Sequence, residues 1–425
     1  MSGMGGAGAA GEWRAHWSVI VPAAAGIMLC SAHAHVLGVM IRPLEAEFGW
    51  PRAEISAGML VIALTAAVLA PMVGMAIDRI GARRIALAGI PVFCGAMALL
   101  GTTGGSILGW WALWLLLALG NMLILPVVWL SAINGYFFRS RGLAMAVALS
   151  GTGLGAALFP PLANWLLETQ GWRGAYLAMG AICAAIAFPL ALLWFRPRRV
   201  ETVEGARPEP VDRAETRAVM RSPRFLKLAG AAVVFAVASC ALTGNAVPVL
   251  IGEGLTPATA AATAGLLGLG SIAGRLCGGV LLDRFNGNVV AAVSVLLPVI
   301  PATILLATDA SQGWAALAFV VMGLSVGTEL DACAYLAARH FGTRHFGALF
   351  GTINGLLLFG NGLAPLVSNH VYDVTRSYDL VLWALIPMFV AAAALFLMLG
   401  RYPQHEAAPA AALPDPEPAS QPARA

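Results

Sequence analysis

The sequence predicts an all-α membrane protein whose twelve transmembrane helices form two pseudo-symmetric six-helix bundles. Composition, the number of apolar runs and an internal repeat predict this fold class. Of the 425 residues, 59% are hydrophobic and only 11% are charged, whereas a soluble domain carries about 25% charged residues. The net charge of +4 comes from basic residues in short loops, a pattern typical of membrane proteins rather than of a nucleic-acid partner.

Twelve apolar runs are long enough to cross a bilayer core of about 30 Å, which needs about 20 helical residues. A polar, Pro-rich stretch separates the sixth run from the seventh. We expect an N-tail over 1–17, an N-terminal bundle over 18–195, a linker over 196–225, a C-terminal bundle over 226–400 and a disordered C-tail over 401–425. The runs cover residues 18–40, 54–77, 85–104, 108–136, 142–167, 174–195, 226–251, 258–282, 289–308, 313–338, 345–371 and 380–400.

Basic residues are distributed unevenly between the two sides of these spans. If the N-terminus is cytoplasmic, the cytoplasmic segments hold 20 of the 25 Lys and Arg residues, and the outer loops hold four. The positive-inside rule then places both termini and the linker in the cytoplasm. The remaining arginine, Arg275, lies within the eighth span.

The sequence shows no pattern that indicates an enzyme, a metal site or a cofactor. The six cysteines lie in apolar runs without a CxxC pair, so we expect small packing residues rather than disulfides or metal ligands. No nucleophile–base pair or spaced ligand set is visible.

The two halves of the chain repeat at a nearly constant offset. Asp78 and Asp283 are 205 residues apart in "GMAIDRIGARR" and "GGVLLDRFNGN", and Pro161 and Pro365 are 204 apart. Duplicated six-helix halves are typical of carriers that expose a midplane site alternately to the two sides.

The loop over 74–84 resembles the best-known motif of the major facilitator superfamily. "PLEAEFGWPRAEIS" (43–56), the stretch over 135–162 beginning "GYFFRSRGLAMA", and "GTELDACAYLAARHFGTRHFGALFG" (327–351) resemble the monocarboxylate transporter family, including its bacterial members and the oxalate/formate antiporters. The resemblance covers nearly the whole chain. It implies the major facilitator fold, alternating-access transport of an organic anion, a bacterial cytoplasmic (inner) membrane location and a monomer.

A gate is predicted at the cytoplasmic ends of the repeated spans. A glycine lets the second span pack closely, an aspartate can accept hydrogen bonds from a facing helix N-terminus, and arginines hold the membrane surface. The candidate gating residues are Gly74, Asp78, Arg79, Gly81, Arg83, Arg84, Asp283, Arg284, Arg139 and Arg141.

Arg275 is the first candidate for substrate binding. An arginine at the centre of a membrane helix costs about 2.5–3.5 kcal/mol, so a partner, an aqueous cavity or a ligand must offset it. The resemblance places here the arginine that binds the substrate carboxylate, and a guanidinium suits that role. A structural arginine is the alternative. The repeat favours binding, because the equivalent position before Asp78 is Ala70.

Proton coupling needs a titratable group, and the aspartate that the family places one turn before this arginine is Ser271 here. His33 and His35 in the first span, and Glu329 and Asp331 in the tenth, are candidates. Each pair is separated by about 200° around its helix. The alternatives are packing histidines and an ion-pair network along Asp331, Tyr335 and Arg339.

Polar side chains in other spans complete the candidate substrate site, which comprises Arg275, His33, His35, Asn121, Asn354 and Asn361. The eleventh span adds no cationic side chain, so Arg275 is the one fixed positive charge of the candidate site. A single positive charge favours a monoanion over a dianion. The expected partners are a small carboxylate, a proton and the lipid bilayer.

The interpretation is therefore a secondary transporter of a monocarboxylate with proton symport. A drug or metabolite exporter driven by proton antiport, with Glu329 holding a cation, and a carboxylate-exchange antiporter are the alternatives. A membrane sensor is a further class, but the linker and tail are too short to hold a sensing domain.

Overall fold

All secondary structure in the described part of the chain is helical. This computed structural model describes residues 9–137, 140–196, 213–307, 311–341 and 346–402. The helices are α1 (Ala9–Phe48), α2 (Arg52–Ile80), α3 (Ala82–Leu99), α4 (Ile107–Met122), α5 (Pro126–Asn134), α6 (Arg141–Leu149), α7 (Gly151–Trp194), α8 (Arg213–Met220), α9 (Pro223–Thr243), α10 (Ala246–Gly252), α11 (Pro257–Arg284), α12 (Gly287–Leu296), α13 (Val299–Ala307), α14 (Gln312–Phe341), α15 (Phe346–Thr375) and α16 (Asp379–Leu397).

Each predicted span corresponds to helix in the structure, and the all-α membrane fold class is confirmed. Eleven stretches of the described residues are long and apolar enough to cross a membrane. One of them, Gly142–Trp194, is 53 residues long and contains two predicted spans. Gly171 separates these spans with a φ of 70°, a conformation that glycine adopts without a steric penalty.

Several spans are broken where proline interrupts the hydrogen-bond ladder. Pro126 begins α5 after the α4–α5 break, and Pro298 lies between α12 and α13. In α10, Pro248 has no N–H to donate to the carbonyl of Gly244. A carbonyl four residues before a proline has no helical N–H to accept from, so such a carbonyl is available to water or a ligand.

The predicted linker and tails are only partly described. The helix α8 lies within the predicted linker, and α1 begins at Ala9, inside the predicted N-tail. Residues 197–212 and 403–425 lie outside the described residues, so the proposed domain boundaries stay predictions.

The two ends of the molecule differ in how closely its halves approach. We call the end with the start of α2 the Arg52 end, and the other end the Gly81 end. A Cβ atom on Gly362 of α15 would overlap Ala63 of α2, so the helices touch there. Toward the Gly81 end, a Cβ on Gly74 or Gly351 would meet no atom of the described residues within 4 Å. The helices α2 and α15 therefore touch near the Arg52 end, whereas these two glycines toward the Gly81 end face open space.

A carboxylate from the C-terminal half caps the first turn of α2. Pro51, the N-cap residue, makes no side-chain capping bond. Asp373 of α15 instead accepts hydrogen bonds from the backbone N–H groups of Arg52 (3.0 Å) and Ala53 (2.9 Å). Unpaired N–H groups and the helix dipole make this terminus a favourable site for a negative charge. The cap therefore joins the two halves of the molecule.

The Arg52 side chain strengthens the same contact. Its Nε donates to Glu45 at 2.8 Å, and its Nη1 donates to the Tyr378 hydroxyl at 3.2 Å. Its guanidinium carbon lies 3.8 Å from the centre of the Tyr372 ring. Burial raises the pKa of Tyr378 to about 12. Tyr378 therefore stays protonated near neutral pH and donates to Asn369 at 2.7 Å.

Asn369 extends this contact into the bundle interior. Its amide nitrogen donates to Ser56 of α2 at 2.6 Å and to the Asn245 side chain at 2.8 Å. Asn369, Ser56 and Asn245 are fully buried, and buried polar groups that are satisfied this way specify one arrangement. We call the contacts of Arg52, Asp373, Tyr378, Asn369 and Ser56 the Arg52-end lock.

We predict that Asp373→Asn opens this lock. The amide loses the negative charge and presents only one acceptor oxygen to the two N–H groups, which should cost about 1–2 kcal/mol. Hydrogen–deuterium exchange of peptides over 48–60 and 365–378 should become faster. Asp379→Asn is the matched control, since Asp379 is exposed and lies nearby as the first residue of α16. Unchanged exchange in Asp373→Asn would show that the cap does not hold the halves together.

Candidate functional site

Close backbone packing brings α11 and α14 together around the candidate arginine. A Cβ on Gly274 would overlap the Leu324 backbone, and one on Gly327 would overlap the Ser271 carbonyl. Glycines four residues apart on both helices, Gly270 and Gly274 facing Gly323 and Gly327, form this contact. Stripes of small residues are the usual means of close helix approach in membranes.

This packing places Asp331 of α14 beside Arg275 of α11. The Arg275 Nη1 donates to the Asp331 Oδ1 at 3.1 Å. The Arg275 side chain is 8% exposed, and the Asp331 side chain is 32% exposed. Arg275 lies nine residues from the end of α11, about 14 Å along the axis. A carboxylate on another helix is therefore the partner that offsets this buried charge.

The ion-pair network predicted along one face of α14 is wrong for Asp331. Asp331 pairs with Arg275, whereas the Arg339 guanidinium lies 5.0 Å from the Tyr402 ring and 6.0 Å from the Tyr335 ring. Sequence reasoning considered Asp331 only within its own helix. The glycine stripes of the eighth and tenth spans were the signal that could have indicated the contact between helices.

Glu329 occupies a different environment on α14. It is 8% exposed, and the Cys333 thiol approaches its Oε1 at 3.9 Å. The spacing of two residues turns Glu329 about 200° away from Asp331. The structure therefore separates the two carboxylates that the sequence offered as proton carriers.

Three of the predicted substrate residues line one cavity, which we call the central cavity. It has a volume of about 320 Å³ and lies just inside the α2–α15 contact. Asn121 is 4% exposed, and its Oδ1 accepts a hydrogen bond from the Cys30 thiol at 3.3 Å. None of the described residues that line it is acidic. The lining consists of Ile27, Cys30, Ser31, His33, Met59, Ile62, Ala63, Ala66, Asn121, Leu125, Pro126, Thr152, Leu358, Asn361 and Gly362.

The other predicted substrate residues lie elsewhere. Arg275 is not part of the central-cavity lining. His35 lines a separate small cavity, and the Asn354 side chain is exposed on α15. The structure therefore groups His33, Asn121 and Asn361 and does not bring His35 or Asn354 to them.

The candidate gating residues that the structure describes lie at the Gly81 end. Arg83 donates to the Leu192 carbonyl at 2.7 Å, which ties α3 to α7. Arg79, Arg84, Asp283 and Arg284 are exposed. Arg139 and the side chains of Asp78 and Arg141 lie outside the described residues. The described part of the motif therefore lies apart from the α2–α15 contact.

We predict that Gly327→Ala weakens the packing on which the ion pair depends. The added methyl group would meet the Ser271 carbonyl and the Arg275 backbone nitrogen, so α11 and α14 must move apart. Overpacking of this kind costs about 1–3 kcal/mol, and the melting temperature should fall. Gly313→Ala in the same helix has open space around it and should melt like the wild type. Equal melting temperatures for Gly327→Ala and Gly313→Ala would contradict the proposal that close packing of α11 and α14 stabilises the protein.

A match across most of the chain identifies the class of protein. A family model described as "Major Facilitator Superfamily" matches residues 23–365. The chain belongs to this superfamily, and it is a multi-pass membrane transporter rather than an enzyme.

The relatives with curated names point to one branch of that superfamily. The chain is 26% identical to Monocarboxylate transporter 13 of Bos taurus over 257 residues, which are 59% of this chain and 58% of that protein. It is 33% identical to Monocarboxylate transporter 11 of Homo sapiens over 190 residues, which are 41% of this chain and 39% of that protein. The chain thus matches well under two thirds of the length of these relatives.

A solved structure confirms the fold. The chain is similar to a bacterial homolog of the human lysosomal transporter Spinster, solved in an inward-facing and occupied conformation. The TM-score is 0.73 at 18% identity, covering 90% of this chain and 96% of that chain. At this identity the likeness concerns the fold alone.

Proposed function

We propose that the chain is a proton-coupled symporter of a monocarboxylate that works by alternating access, with Arg275 as the anion-binding group. The observation that carries this proposal is the ion pair between Arg275 and Asp331 within the membrane. The monocarboxylate transporters among its relatives support the same substrate class.

The hydrogen bonding of Arg275 leaves donors for a second carboxylate. A guanidinium has five N–H donors in a planar fork, and one hydrogen bond joins Arg275 to Asp331. The other donors have no hydrogen-bond partner in the described part of the chain. A substrate carboxylate can therefore bind the free side of the fork in the bidentate geometry that arginine favours.

Proton coupling follows from the charge balance of this pair. When Asp331 binds a proton, Arg275 is left with an uncompensated positive charge in a site where such a charge is expensive. A monocarboxylate restores neutrality, whereas a dianion would leave an excess negative charge. Asp331 in α14 thus supplies the carboxylate that the family resemblance implies at Ser271 in α11.

The central cavity supports an uncharged binding region for the body of the substrate. Its lining is largely apolar, with His33, Asn121 and Asn361 as hydrogen-bonding groups. A cation exporter would be expected to use an acidic cavity, and none of the described lining residues is acidic. These features favour an organic anion with an apolar body over a cationic drug.

The Arg52-end lock and the open Gly81 end support alternating access. We propose a bacterial inner-membrane location with both termini in the cytoplasm, which the distribution of basic residues favours. In that orientation this state faces inward. The gating motif at 74–84 would then engage when the halves close at the Gly81 end. We propose a monomer as the functional unit.

We predict that Asp331→Asn uncouples uptake from the proton gradient. Asparagine cannot ionise, so purified protein in liposomes should exchange labelled monocarboxylate for unlabelled monocarboxylate without responding to an inward proton gradient. Arg275→Ala should abolish both activities, because it removes the anion site. The measurement is uptake of a panel of labelled monocarboxylates with and without the gradient.

Two further variants make this test specific. Arg173→Ala removes an exposed arginine paired with Glu47 at the Arg52 end and should transport like the wild type. Glu329→Gln changes the other carboxylate of α14 and should keep the proton response. If Glu329→Gln loses the response while Asp331→Asn retains it, the proton binds Glu329 and the charge-balance account is wrong.

We also predict that Asn121→Ala and Asn361→Ala raise KM for the transported acid. Loss of one hydrogen bond costs about 1 kcal/mol, or roughly fivefold in affinity. Asn354→Ala is the matched control, because Asn354 is exposed and does not line the central cavity. KM values that rise equally in all three variants would place the substrate outside this cavity.

A further inference from the structure

His35 faces a chamber that is separate from the central cavity. The chamber has a volume of about 20 Å³ and lies where α1 and α7 of one half meet α9, α10 and α11 of the other. A water molecule needs roughly 10–15 Å³ of such space. The chamber is lined by Ala34, His35, Gly38, Pro160, Thr243, Gly244, Ala246, Val247, Ala264 and Leu267.

The groups around this chamber are those that hold a buried water. Neither ring nitrogen of His35 has a hydrogen-bond partner among the described residues, and the side chain is partly exposed. Gly244, whose carbonyl receives no N–H from Pro248, and Thr243 also line the chamber. A water there would contact two to four polar groups, the number that buried waters usually have.

A larger cavity lies beside this chamber, toward the Arg52 end, and we call it the vestibule. It has a volume of about 310 Å³, and Gly38 and Val247 line both spaces. Arg42, Ala46 and Pro257 on its rim are exposed. His35 and Ala46 are 11 residues apart on α1, about 16 Å along the helix. The vestibule covers most of that distance, and the chamber covers the last turn.

The substrate route at the same end is closed by the Arg52-end lock between α2 and α15. The vestibule runs along the other seam, between α1 and α7 on one side and α10 and α11 on the other. Gly38 and Val247, which line both spaces, form the boundary that we call the neck. The chamber beyond it has room for about one water, so it can pass a proton but cannot hold an organic acid. The chamber residue Leu267 stands eight residues before Arg275 on α11, about 12 Å along the axis.

We propose that His35 is a proton-binding site hydrated from the Arg52 end through the vestibule, so that protons enter while the substrate route at that end is closed. Hydronium would give a proton to the chamber water and thence to the imidazole, and water would remain. This inference rests on the proton coupling proposed above. It adds an entry route distinct from the substrate path.

Within the chamber, the change of charge that we expect is protonation of His35 itself. Among the described residues that line the chamber, none carries a fixed charge. The nearest charged or titratable groups on the surrounding elements are His33 and Arg42 on α1, Glu168 on α7, Cys240 on α9, Glu253 after α10 and Arg275 on α11.

The test is histidine C2-hydrogen exchange, measured by mass spectrometry on the purified full chain over a pH series without substrate. His35 should exchange with a sigmoidal pH dependence. Gly38→Ala and Val247→Met each narrow the neck from a different wall and should slow that exchange severalfold. Gly252→Leu adds a side chain at the same end in open space and should leave it unchanged. Exposed His370 is the internal reference.

Full protection of His35 at every pH, or exchange that neither neck variant slows, would overturn the proposal. A transport measurement separates it from the function on which it rests. His35→Gln should lose most proton-driven uptake but retain carboxylate exchange. If uptake by His35→Gln and by the wild type responds equally to the proton gradient, His35 is not the entry site, and the proposed symport is unaffected. If the wild type takes up no carboxylate while His35 exchanges hydrogen as expected, the proposed symport is wrong, and the hydrated site at His35 is unaffected.

Discussion

A positive charge within a membrane helix must keep a negative partner, and this constraint organises the structure around Arg275. The charge is offset by Asp331 from a neighbouring helix at 3.1 Å. That contact depends on glycines that let the backbones of α11 and α14 approach closely. Removing either partner leaves an uncompensated charge in a medium of low dielectric constant, which is far more costly than at a surface. When a proton neutralises Asp331 and a substrate carboxylate pairs with Arg275, the net charge of the site stays at zero. The same two residues are therefore suited to coupled transport.

The Arg52-end lock applies the same physics at the boundary between the halves. Asp373 satisfies unpaired N–H groups of α2 with a negative charge, and the neutral Tyr378 hydroxyl links Arg52 to Asn369. The bonds of Arg52 to Asp373 and to Tyr378 join residues more than 300 positions apart, so they exist only while the halves are closed at this end. Opening must break them together, and water then satisfies the freed groups. The closed state is thus held by a few polar contacts, whereas the interior of each half is held by close packing.

Most of the fold could be predicted from the sequence, because apolar runs of bilayer length leave few alternatives. The junction at Gly171 and the prolines account for the differences between predicted spans and observed helices. The site was less predictable. Sequence reasoning identified Arg275 and Asp331 separately but could not pair them, because the two residues are 56 positions apart and lie on different helices. It assigned His33 and His35 equal roles, whereas the structure places them on different cavities. Such distinctions depend on helix rotation and register, which hydrophobicity alone does not determine.

The central claim is that a proton and a monocarboxylate move together through a site whose charge is balanced. The most direct measurement is carboxylate uptake into liposomes at a fixed proton gradient, with the membrane potential set to zero or to about −100 mV by a potassium gradient and ionophore. Moving one net charge across 100 mV changes the free energy by about 2.3 kcal/mol, so coupling to an unbalanced charge is easily detected. The account predicts the same uptake at both potentials. Uptake that follows the potential would contradict it.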